Sequence, residues 1–407
     1  MRFSGFDDEW KKSNLGNISS NEMYGMNSAA KDYDGFNKYI RITDISETSN
    51  KFIPNPLTSP DGDLEDKYKL KKGDIVFART GASTGKTYLY DDNDRNLYFA
   101  GFLIKFHIDN ADPKFIFYNT LKEEYLNWVS VMSVRSGQPG INSNEYKKLP
   151  IILPSLDEQN KISNFLTSID KKIDLLERKH QFYQEFKKYL MQQIFTQKLR
   201  FADCTGEWNL FKLGDIVELM RNGCSENQVS FETEFPVTRI ETISKGILNF
   251  DKVGYVEKID SSYLLQYGDI LLSNINSLKY IGNCVFFDED KPLYHGMNLM
   301  LMRFKDDFNK KYLFYYMKFY QQWFQKMACQ AVNQASINQS SLKKFPFYIP
   351  PTIDEQNKIV NVIDDTEHKI NSIEDQIIKM EEFKKGLLQQ MFVVQLILSL
   401  LQNKKHI

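Results

Sequence analysis

The sequence predicts an α+β protein in which two homologous mixed α/β domains are joined by a long antiparallel two-helix coiled coil. Three observations predict this fold. Most of the sequence is a tandem duplication, each copy begins with short apolar runs between turn residues, and each copy ends in a heptad pattern. With 407 residues, of which 42% are hydrophobic and 26% charged, the chain can form packed cores and is not globally disordered.

The duplication is an ordered series of matching segments, each displaced by between 195 and 198 positions. Chance does not explain a series whose order is kept. A period of about half the chain also excludes solenoids, whose repeats run to about 20–50 residues. The matched pairs include Glu9-Trp10 and Glu207-Trp208, Arg41-Ile42 and Arg239-Ile240, Gly73–Ile75 and Gly268–Ile270, Lys114–Tyr118 and Lys311–Tyr315, and Asp157–Ile162 and Asp354–Ile359.

Short apolar runs in the first part of each copy predict strands, and a helix is expected after them. In the first copy strands are predicted at 74–78 and 102–106, and a helix from Pro113 to Val131 with Asp112 as its N-cap. In the second copy the corresponding strands are predicted at 269–272 and 283–287, and the helix at 309–328.

After Pro154, and again in the second copy, apolar residues recur at alternating steps of four and three, the seam of a coiled coil. Because a strict seam this long needs a partner of equal length, we expect the two seams to pair, antiparallel since the chain returns on itself. The alternative is that each helix packs on its own domain. His180, which stands where the second copy has Ile377, is interpreted as a tolerated seam residue. The predicted seam comprises Ile162, Leu166, Ile169, Ile173, Leu176 and Leu190 in the first helix, and Ile359, Ile363, Ile370, Ile373, Ile377 and Leu387 in the second.

These patterns divide the chain into five segments. They are a first domain at 1–153, a helix at 154–200, a second domain at 201–350, a second helix at 351–393, and an apolar tail at 394–407.

Charge and cysteine content exclude several classes of protein. Lys plus Arg number 52 against 53 for Asp plus Glu, so a generally basic nucleic-acid coat is excluded, although a local basic groove is not. The four cysteines form no C-x-x-C pair, and we expect no metal site and a reducing, cytoplasmic location. The longest apolar run, 392–401, is about half the length needed to span a bilayer.

No motif predicts an enzyme. The segment Gly81–Thr87 is similar to a phosphate-binding P-loop but has three residues between its glycines instead of four, and is interpreted as a strand turn. The acidic pairs Asp157-Glu158 and Asp354-Glu355 open the long helices, where they complement the helix dipole, and we prefer that role to catalysis.

Two polar loops, 134–144 and 329–339, precede the long helices and are the candidate DNA-reading segments. Side-chain amides can pair with adenine and arginine with guanine, but ordinary polar surface loops have the same composition, and the two interpretations are equally supported. The candidate readers are Arg135, Gln138, Asn142 and Asn144 in the first copy, and Gln330, Asn333, Gln334 and Asn338 in the second. The further candidates for DNA contact are Arg79 and Lys86 in the first copy, and Arg239, Asn274, Asn276 and Lys279 in the second.

One sequence pattern occurs twice and resembles a pattern of the DNA specificity subunits of type I restriction–modification systems. It is Leu-Pro-x-x-x-Pro-x-x-x-Glu-Gln-x-x-Ile at the start of a long helix, here Leu149–Ile162 and, with one inserted residue and Phe345 in the Leu place, Phe345–Ile359. The stretch Arg79–Lys86, the Trp-x-x-x-x-Leu-Gly-x-Ile opening of each half and the helix end Leu387–Phe392 are also similar to that family. The resemblance extends from Trp10 to Phe392.

This resemblance implies a non-catalytic DNA-reading subunit without a cofactor of its own. Each of two target recognition domains would read one half of a bipartite site on double-stranded DNA, and the antiparallel helices would hold the domains apart. Two methyltransferase subunits, each with S-adenosylmethionine, would methylate adenine. Restriction subunits using ATP and Mg would complete the assembly.

Family members commonly end shortly after the Gln-Gln-Met-Phe helix end, so the 394–407 tail is a departure that the resemblance does not explain. Two other functions stay open from the sequence. One is a stand-alone DNA-binding or scaffold protein, or a silent recombination cassette, without methyltransferase partners. The other is an enzyme that uses the Gly81–Thr87 loop. Neither the DNA sequence recognised nor its spacer length follows from the residues.

Overall fold

The computed structural model describes residues 2–244, 246–330 and 335–403, with the backbone alone at 329–330 and 393–403. These residues form two compact units. Unit 1 comprises Met1–Glu177 and Asp375–Ile407, and unit 2 comprises Arg178–Glu374. Both divisions fall inside long helices, so each unit contains part of each helix.

Unit 1 is built from short strands, short helices and portions of two long helices. Its strands are β1 (Lys11–Asn14), β2 (Ser19–Tyr24), β3 (Ala30–Asp32), β4 (Lys38–Ile40), β5 (Thr58–Pro60), β6 (Asp74–Ala78), β7 (Thr87–Leu89), β8 (Leu97–Phe99), β9 (Leu103–Ile108) and β10 (Pro150–Leu153). Its helices are α1 (Leu15–Ile18), α2 (Pro113–Asn119), α3 (Glu123–Met132), α4 (Ser143–Tyr146) and the first part of α5 (Leu156–Phe195).

Unit 2 repeats this series. Its strands are β11 (Asn209–Lys212), β12 (Val217–Asn222), β13 (Gln228–Val229), β14 (Pro236–Val237), β15 (Gly254–Val256), β16 (Ile270–Leu272), β17 (Ile275–Asn276), β18 (Cys284–Phe286), β19 (Met300–Phe304), β20 (Cys329–Gln330), β21 (Ala335–Ser336) and β22 (Pro346–Ile349). Its helices are α6 (Leu213–Ile216), α7 (Lys310–Phe319), α8 (Gln321–Met327), α9 (Gln339–Leu342) and the first part of α10 (Ile353–Asn403).

The centre of each unit is an antiparallel four-stranded sheet, in the order β2-β9-β6-β7 in unit 1 and β12-β19-β16-β18 in unit 2. Strand β6 is buried on both faces, which explains why its sequence is a continuous run instead of alternating. Ile75 and Phe77 face a core that includes α2, α3 and the long helices, while Val76 and Ala78 face a second core on the other side. The predicted strands are therefore confirmed, and both halves share one sheet topology.

The repeated Gly-Asp-Ile segment has a structural role in this sheet. Asp74 is fully buried at the start of β6, where its carboxylate lies 2.8 Å from His107 Nδ1. Asp269 is equally buried and accepts two hydrogen bonds of 2.8 Å from the Arg303 guanidinium. The neighbouring strand also provides a cation for each buried carboxylate, since the Lys105 ammonium lies 3.9 Å from Asp74 and Arg303 pairs with Asp269.

The single helix predicted in each copy was wrong, because each is broken in two. In unit 1, α2 ends at Asn119 and α3 begins at Glu123; the Thr120 hydroxyl donates to the Phe117 carbonyl at 2.7 Å, and Lys122 is extended. In unit 2 the break lies at Tyr320, between α7 and α8. The predicted cap is confirmed, since Asp112 accepts a hydrogen bond of 2.6 Å from the Phe115 N–H.

The long helices carry the predicted seam, and in each unit their segments pack against each other. The buried seam residues of unit 1 are Ile162, Leu166, Ile169, Ile173, Leu176 and Leu387, with Ile377 half-buried. Those of unit 2 are Leu190, Ile359, Ile363, Ile370 and Ile373. His180 is half-buried in unit 2, and its Nε2 has no hydrogen-bond partner among the described residues.

A half-buried ion pair joins the two long helices in each unit. In unit 1, Lys384 of α10 lies 2.6 Å from Asp170 of α5, and the Tyr118 hydroxyl donates to the same carboxylate at 2.6 Å. Further along α10, Phe392 lies in the same core as Ile162 near the start of α5, and its ring contacts that of Phe115. The two segments therefore run antiparallel.

The corresponding pair in unit 2 is Lys187 of α5 and Glu367 of α10, at 2.7 Å, with the Tyr315 hydroxyl donating to Glu367 at 2.8 Å. Burial lowers the pKa of Lys187. Burial alone would raise the pKa of Glu367, but the hydrogen bond and charge of Lys187 lower it overall. Both groups are thus held as an ion pair.

The repeated Glu-Gln of each long helix attaches that helix to its domain. Glu158, 1% exposed, receives hydrogen bonds of 2.7 and 2.8 Å from Arg2, and Glu355, also 1% exposed, receives the same pair from Arg200. Gln159 accepts the Asp112 N–H at 3.0 Å. In unit 2 the matching bond, from the Asn309 N–H to Gln356, is 2.9 Å long. The acidic pairs therefore do more than complement the helix dipole, because the second acid of each forms a buried ion pair.

Unit 2 has a cavity of ≈ 130 Å³ beside this ion pair, lined by residues that include Trp208, Arg200, Phe201 and Val362. In unit 1 the position matching Val362 is Phe165, whose ring packs edge-on against Phe3 with 5.7 Å between centroids. The smaller side chain of unit 2 accounts for the space.

Candidate nucleic-acid interface

A groove of ≈ 520 Å³ opens in unit 1 where β2 ends, β6 ends and β9 begins. Its lining includes Tyr24, Arg41, Arg79 and Phe102. The Arg79 guanidinium lies 4.8 Å from the centre of the Tyr24 ring, a cation–π distance. Arg41 donates hydrogen bonds of 2.9 and 2.8 Å to Asp44, which offsets part of its charge. The groove thus combines aromatic and cationic side chains.

Tyr24 links this groove to the polar loop that the sequence singled out. Its oxygen accepts a hydrogen bond of 3.2 Å from the Ser143 N–H. Burial alone would raise the pKa of Tyr24, but this hydrogen bond and the positive charge of Arg79 lower it overall. The loop, the groove and Arg79 therefore belong to one surface.

A close backbone crossing forms the floor of the groove. The Met26 N–H donates to the Phe99 carbonyl at 2.9 Å, and the Gly101 N–H donates to the Met26 carbonyl at 2.7 Å. A Cβ at Gly25 would lie 2.2 Å from the Ala100 oxygen, so only glycine fits there. This crossing fixes the position of the turn that follows Ala100.

Unit 2 has the same crossing. The Cys224 N–H donates to the His295 carbonyl at 3.0 Å, and a Cβ at Gly223 would lie 1.8 Å from the Gly296 oxygen. His295 is fully buried beneath it, and burial lowers its pKa to about 4. Each unit therefore presents a comparable rigid surface at the same place in its fold.

The Gly81–Thr87 segment is a turn between β6 and β7 that packs on the polar loop. The Gly81 N–H donates to the Pro139 carbonyl at 3.0 Å. The Lys86 ammonium donates to the Ile45 carbonyl at 3.1 Å and pairs with Glu47, and the Lys86 side chain is only 8% exposed. The groups that a phosphate would need are thus engaged within the domain, which supports the strand-turn interpretation.

The predicted DNA-reading residues of the first polar loop differ in whether their side chains already form hydrogen bonds within the domain. Arg135 donates two hydrogen bonds of 2.6 Å to Glu145. Asn142 caps α4, since its side chain accepts the Glu145 N–H at 2.9 Å. Gln138 and Asn144 are exposed. Their contact with DNA stays a prediction, but Asn142 also has a structural role.

In unit 2 the predicted asparagines whose side chains are described already form hydrogen bonds within the domain. Asn274 is buried, and its amide lies 3.4 Å from the Ile337 carbonyl. The Asn276 side chain accepts the Ser277 N–H at 2.8 Å. Asn338 caps α9 by accepting the Ser341 N–H at 2.9 Å.

The cations of unit 2 lie at the surface. Arg239 lies 3.7 Å from Glu241, and its side chain is 46% exposed. The Lys279 ammonium lies 4.6 Å from the centre of the Tyr280 ring. Gln330 is described by its backbone alone, in β20, and Asn333 and Gln334 lie outside the described residues.

Tyr24 and the turns after the two crossings were not among the site residues predicted from the sequence. Gly25 and Gly223 recur at the repeat distance, and each is followed far along the chain by a second glycine, Gly101 or Gly296. That recurrence was the available signal. It was not used because the candidate residues were chosen by composition.

Comparison with known proteins identifies the family. The model of the type I restriction modification DNA specificity domain matches residues 7–181 and again residues 205–382. The chain belongs to this family. The two matches correspond to the two copies found in the sequence.

Similar specificity subunits come from archaea and bacteria. A Methanocaldococcus jannaschii protein, provisionally named the type I restriction enzyme MjaX specificity subunit, is 38% identical over 205 residues, 48% of each chain. The StySPI specificity subunit of Salmonella potsdam is 24% identical over 285 residues, 65% of this chain and 60% of that one. The matched regions thus span about half to three fifths of these relatives.

Solved structures show the same fold. The S subunit of the type I restriction-modification system of M. genitalium superposes with a TM-score of 0.59 at 14% identity, covering 96% of this chain and 97% of the other. A chain from a structural study of type I R-M complex assembly gives a TM-score of 0.58 at 17% identity, covering 96% and 99%. Two specificity domains with long helices are therefore the architecture of this family.

Two further features hold for the described residues only. Among them, no three His, Cys, Asp or Glu side chains are grouped so that they could hold a metal ion. Over the same residues, every helix is too short or too polar to cross a membrane.

Proposed function

We propose that this chain is the DNA-reading specificity subunit of a type I restriction–modification complex, with one half of a bipartite site read by each specificity domain. The observation that carries the proposal is the recurrence of one close backbone crossing in both units. Gly25 and Gly223 each permit this crossing, which lies shortly before β9 begins in unit 1 and before β19 begins in unit 2. Two equivalent surfaces on one chain suit a site of two parts.

Phosphate contacts would supply most of the affinity and polar side chains the sequence preference. The net charge of −1 means that attraction to DNA depends on local cations. Arg79 lines the groove of unit 1, and Arg239 and Lys279 are exposed cations of unit 2, so these three residues are the candidates for phosphate contact. Lys86 stays a candidate, although Glu47 already offsets its charge.

The salt dependence of binding separates these cations. Arg79→Ala should weaken binding and lower the slope of log K against log salt by about one, the amount expected for one lost phosphate contact. Lys86→Ala is the matched control and should lower the slope less, because its ammonium is paired within the domain. An unchanged slope in Arg79→Ala would mean that Arg79 does not contact a phosphate.

The partners and cofactors follow from the proposed role. Two methyltransferase subunits, each holding S-adenosylmethionine, would dock on this chain and methylate adenine, and restriction subunits would use ATP and Mg. Such a complex acts on chromosomal DNA in the cytoplasm. Copurification of a methyltransferase with the full chain would support this arrangement over a stand-alone DNA-binding or scaffold protein.

A domain exchange tests the proposal as a whole. Residues 1–153 are replaced by the corresponding domain of a relative, and modified adenines are mapped in cells that carry the hybrid. Because base contacts are local to each domain, one half of the methylated sequence should change while the other half and the spacing stay the same. A hybrid that changes both halves, or neither, would contradict independent reading.

A further inference from the structure

The turn after each backbone crossing exposes one large apolar side chain. In unit 1 the turn is Gly101-Phe102, and Phe102 is 61% exposed. In unit 2 it is Met297-Asn298, and Met297 is 45% exposed. The residues on either side of these turns are buried or half-buried, so the two apolar side chains are set apart from their neighbours.

The turn of unit 1 is held by backbone hydrogen bonds. In unit 1, the Leu103 N–H donates to the Ala100 carbonyl at 2.9 Å, which closes the turn. The Phe102 carbonyl accepts the Arg79 N–H at 3.0 Å, so the apolar tip and the groove cation are directly joined. Phe102 is therefore presented from a fixed backbone and loses little conformational freedom on binding.

The surroundings of Phe102 favour DNA as the occupant of this surface. Phe102 lines the same groove as Arg79 and Tyr24, so the apolar tip adjoins a cation and a second aromatic ring. Cations bind phosphates, and exposed Phe and Met side chains contact thymine methyl groups or enter between base pairs. A protein partner would also cover an apolar side chain. In both units, however, an exposed apolar residue lies in the turn that follows the crossing, with Met297 one position earlier in its turn than Phe102, and this recurrence suits a two-part DNA site.

We propose that Phe102 and Met297 are DNA-reading residues that make apolar contacts with the bases of their respective half-sites. This inference rests on the proposed function and adds two specificity residues to it. It also explains why both domains keep a glycine crossing, since the crossing holds each apolar tip at a fixed position.

The first experiment separates this inference from the proposed function. The full chain is used to select bound duplexes from a random library, and the recovered sequences are compared. A two-part motif supports the proposed function, and the absence of any motif overturns both proposals. The inference is then tested alone on the recovered motif.

On that motif, Phe102→Ala should weaken binding about ten- to a hundred-fold, the effect of losing one buried aromatic contact. A repeated selection with this variant should relax base preference in one half-site only. Met297→Ala should relax the other half-site, with a smaller loss of affinity. Phe102→Met should recover most of the affinity of the first half-site, since it restores an apolar side chain.

The matched control is Phe182→Ala. Phe182 is also 61% exposed but lies on α5 and is not among the residues that line the groove, so this variant should leave affinity and motif unchanged. Melting curves of all variants check the fold, which an exposed side chain should not affect.

Two base analogues identify the kind of contact. If the tips contact thymine methyl groups, replacing thymine by deoxyuridine in the relevant half-site should reproduce the loss. If they enter between base pairs, 2-aminopurine placed there should brighten with wild-type protein but not with Phe102→Ala. Unchanged motifs in both alanine variants, or an equal loss on every sequence tested, would overturn the inference.

Discussion

Replacing Val362 with phenylalanine should stabilise unit 2 by filling the cavity beside the Arg200–Glu355 ion pair. The other half of the chain shows which side chain fits that space. At the matching position of unit 1, Phe165 packs against Phe3 with 5.7 Å between ring centroids. Unit 2 keeps the partner ring, Phe201, but has the smaller valine and a cavity of ≈ 130 Å³.

The magnitude follows from the volume. At about 24 cal/mol per Å³, an enclosed cavity of ≈ 130 Å³ would correspond to about 3 kcal/mol of lost packing energy, and the loss is smaller here because this cavity is partly open to solvent. The phenyl ring fills part of this volume, and local overpacking opposes some of the gain. We therefore expect the free energy of unfolding of unit 2 to rise by about 1–2 kcal/mol, a Tm increase of roughly 2–8 °C for a domain of this size.

Thermal unfolding followed by tryptophan fluorescence measures the effect, since Trp208 lines the cavity. The matched control is Phe165→Val, which should open an equivalent space in unit 1 and lower its stability by about 1–3 kcal/mol. A lower Tm for Val362→Phe, together with no loss for Phe165→Val, would show that the two positions are not equivalent in packing and would refute the reasoning.

Three further predictions concern the helices and one buried histidine. Changing Ile173 and Ile370 together to Asp places carboxylates at positions that are 8% and 9% exposed. Each change should lower the free energy of unfolding by roughly 2–5 kcal/mol, and together they should abolish site-specific binding. Full activity of this variant in a methylation assay would contradict a structural seam. Lys187→Met leaves the Glu367 carboxylate without its cation and should destabilise unit 2 by roughly 1–3 kcal/mol in urea unfolding. The exchange Lys187→Glu with Glu367→Lys should recover most of that loss, and no recovery would mean that the ion pair does not stabilise the contact between the two helices. His295 stays neutral in the folded state, with a pKa of about 4 against 6.5 for the free group, so the stability of unit 2 should fall by about 3 kcal/mol as the pH drops from 6.5 to 4. The variant His295→Gln should remove this pH dependence. An unchanged pH profile in that variant would exclude His295 as its source.

The parts of the fold that the sequence predicted are those determined by local patterns. The heptad steps placed Leu166 and Ile363 in the seam, and both are fully buried. The apolar run at 74–78 is strand β6 with the same bounds. The break at Thr120 was not predicted, because the helix there ends through side-chain hydrogen bonds to nearby carbonyls and not through a Pro or Gly.

The site was harder to predict because its residues are distant in sequence. Arg2 and Glu158 form an ion pair although they are 156 positions apart, and Arg79 and Tyr24 are in cation–π contact although they too are distant in sequence. Neither contact has a periodic signature in the sequence. Composition selected Asn142 and Asn338, and the structure shows that both cap short helices. Phe102 was missed because a single exposed aromatic residue has no local pattern.

The division of the chain also determines the order in which it can fold during synthesis. Unit 2 is one continuous stretch, Arg178–Glu374, whereas unit 1 is completed only by residues after Asp375. Leu387, Met391 and Phe392 belong to the same core as Ile162, so this core cannot close until the last of them is made.

At about 5–20 residues per second, the ribosome needs roughly 10–40 s to add the roughly 200 residues between the two parts of unit 1. During that time the apolar surface around Trp10 and Phe115 stays open to water. The domain synthesised first is therefore the last to be finished, and its exposed apolar surface favours aggregation during that interval.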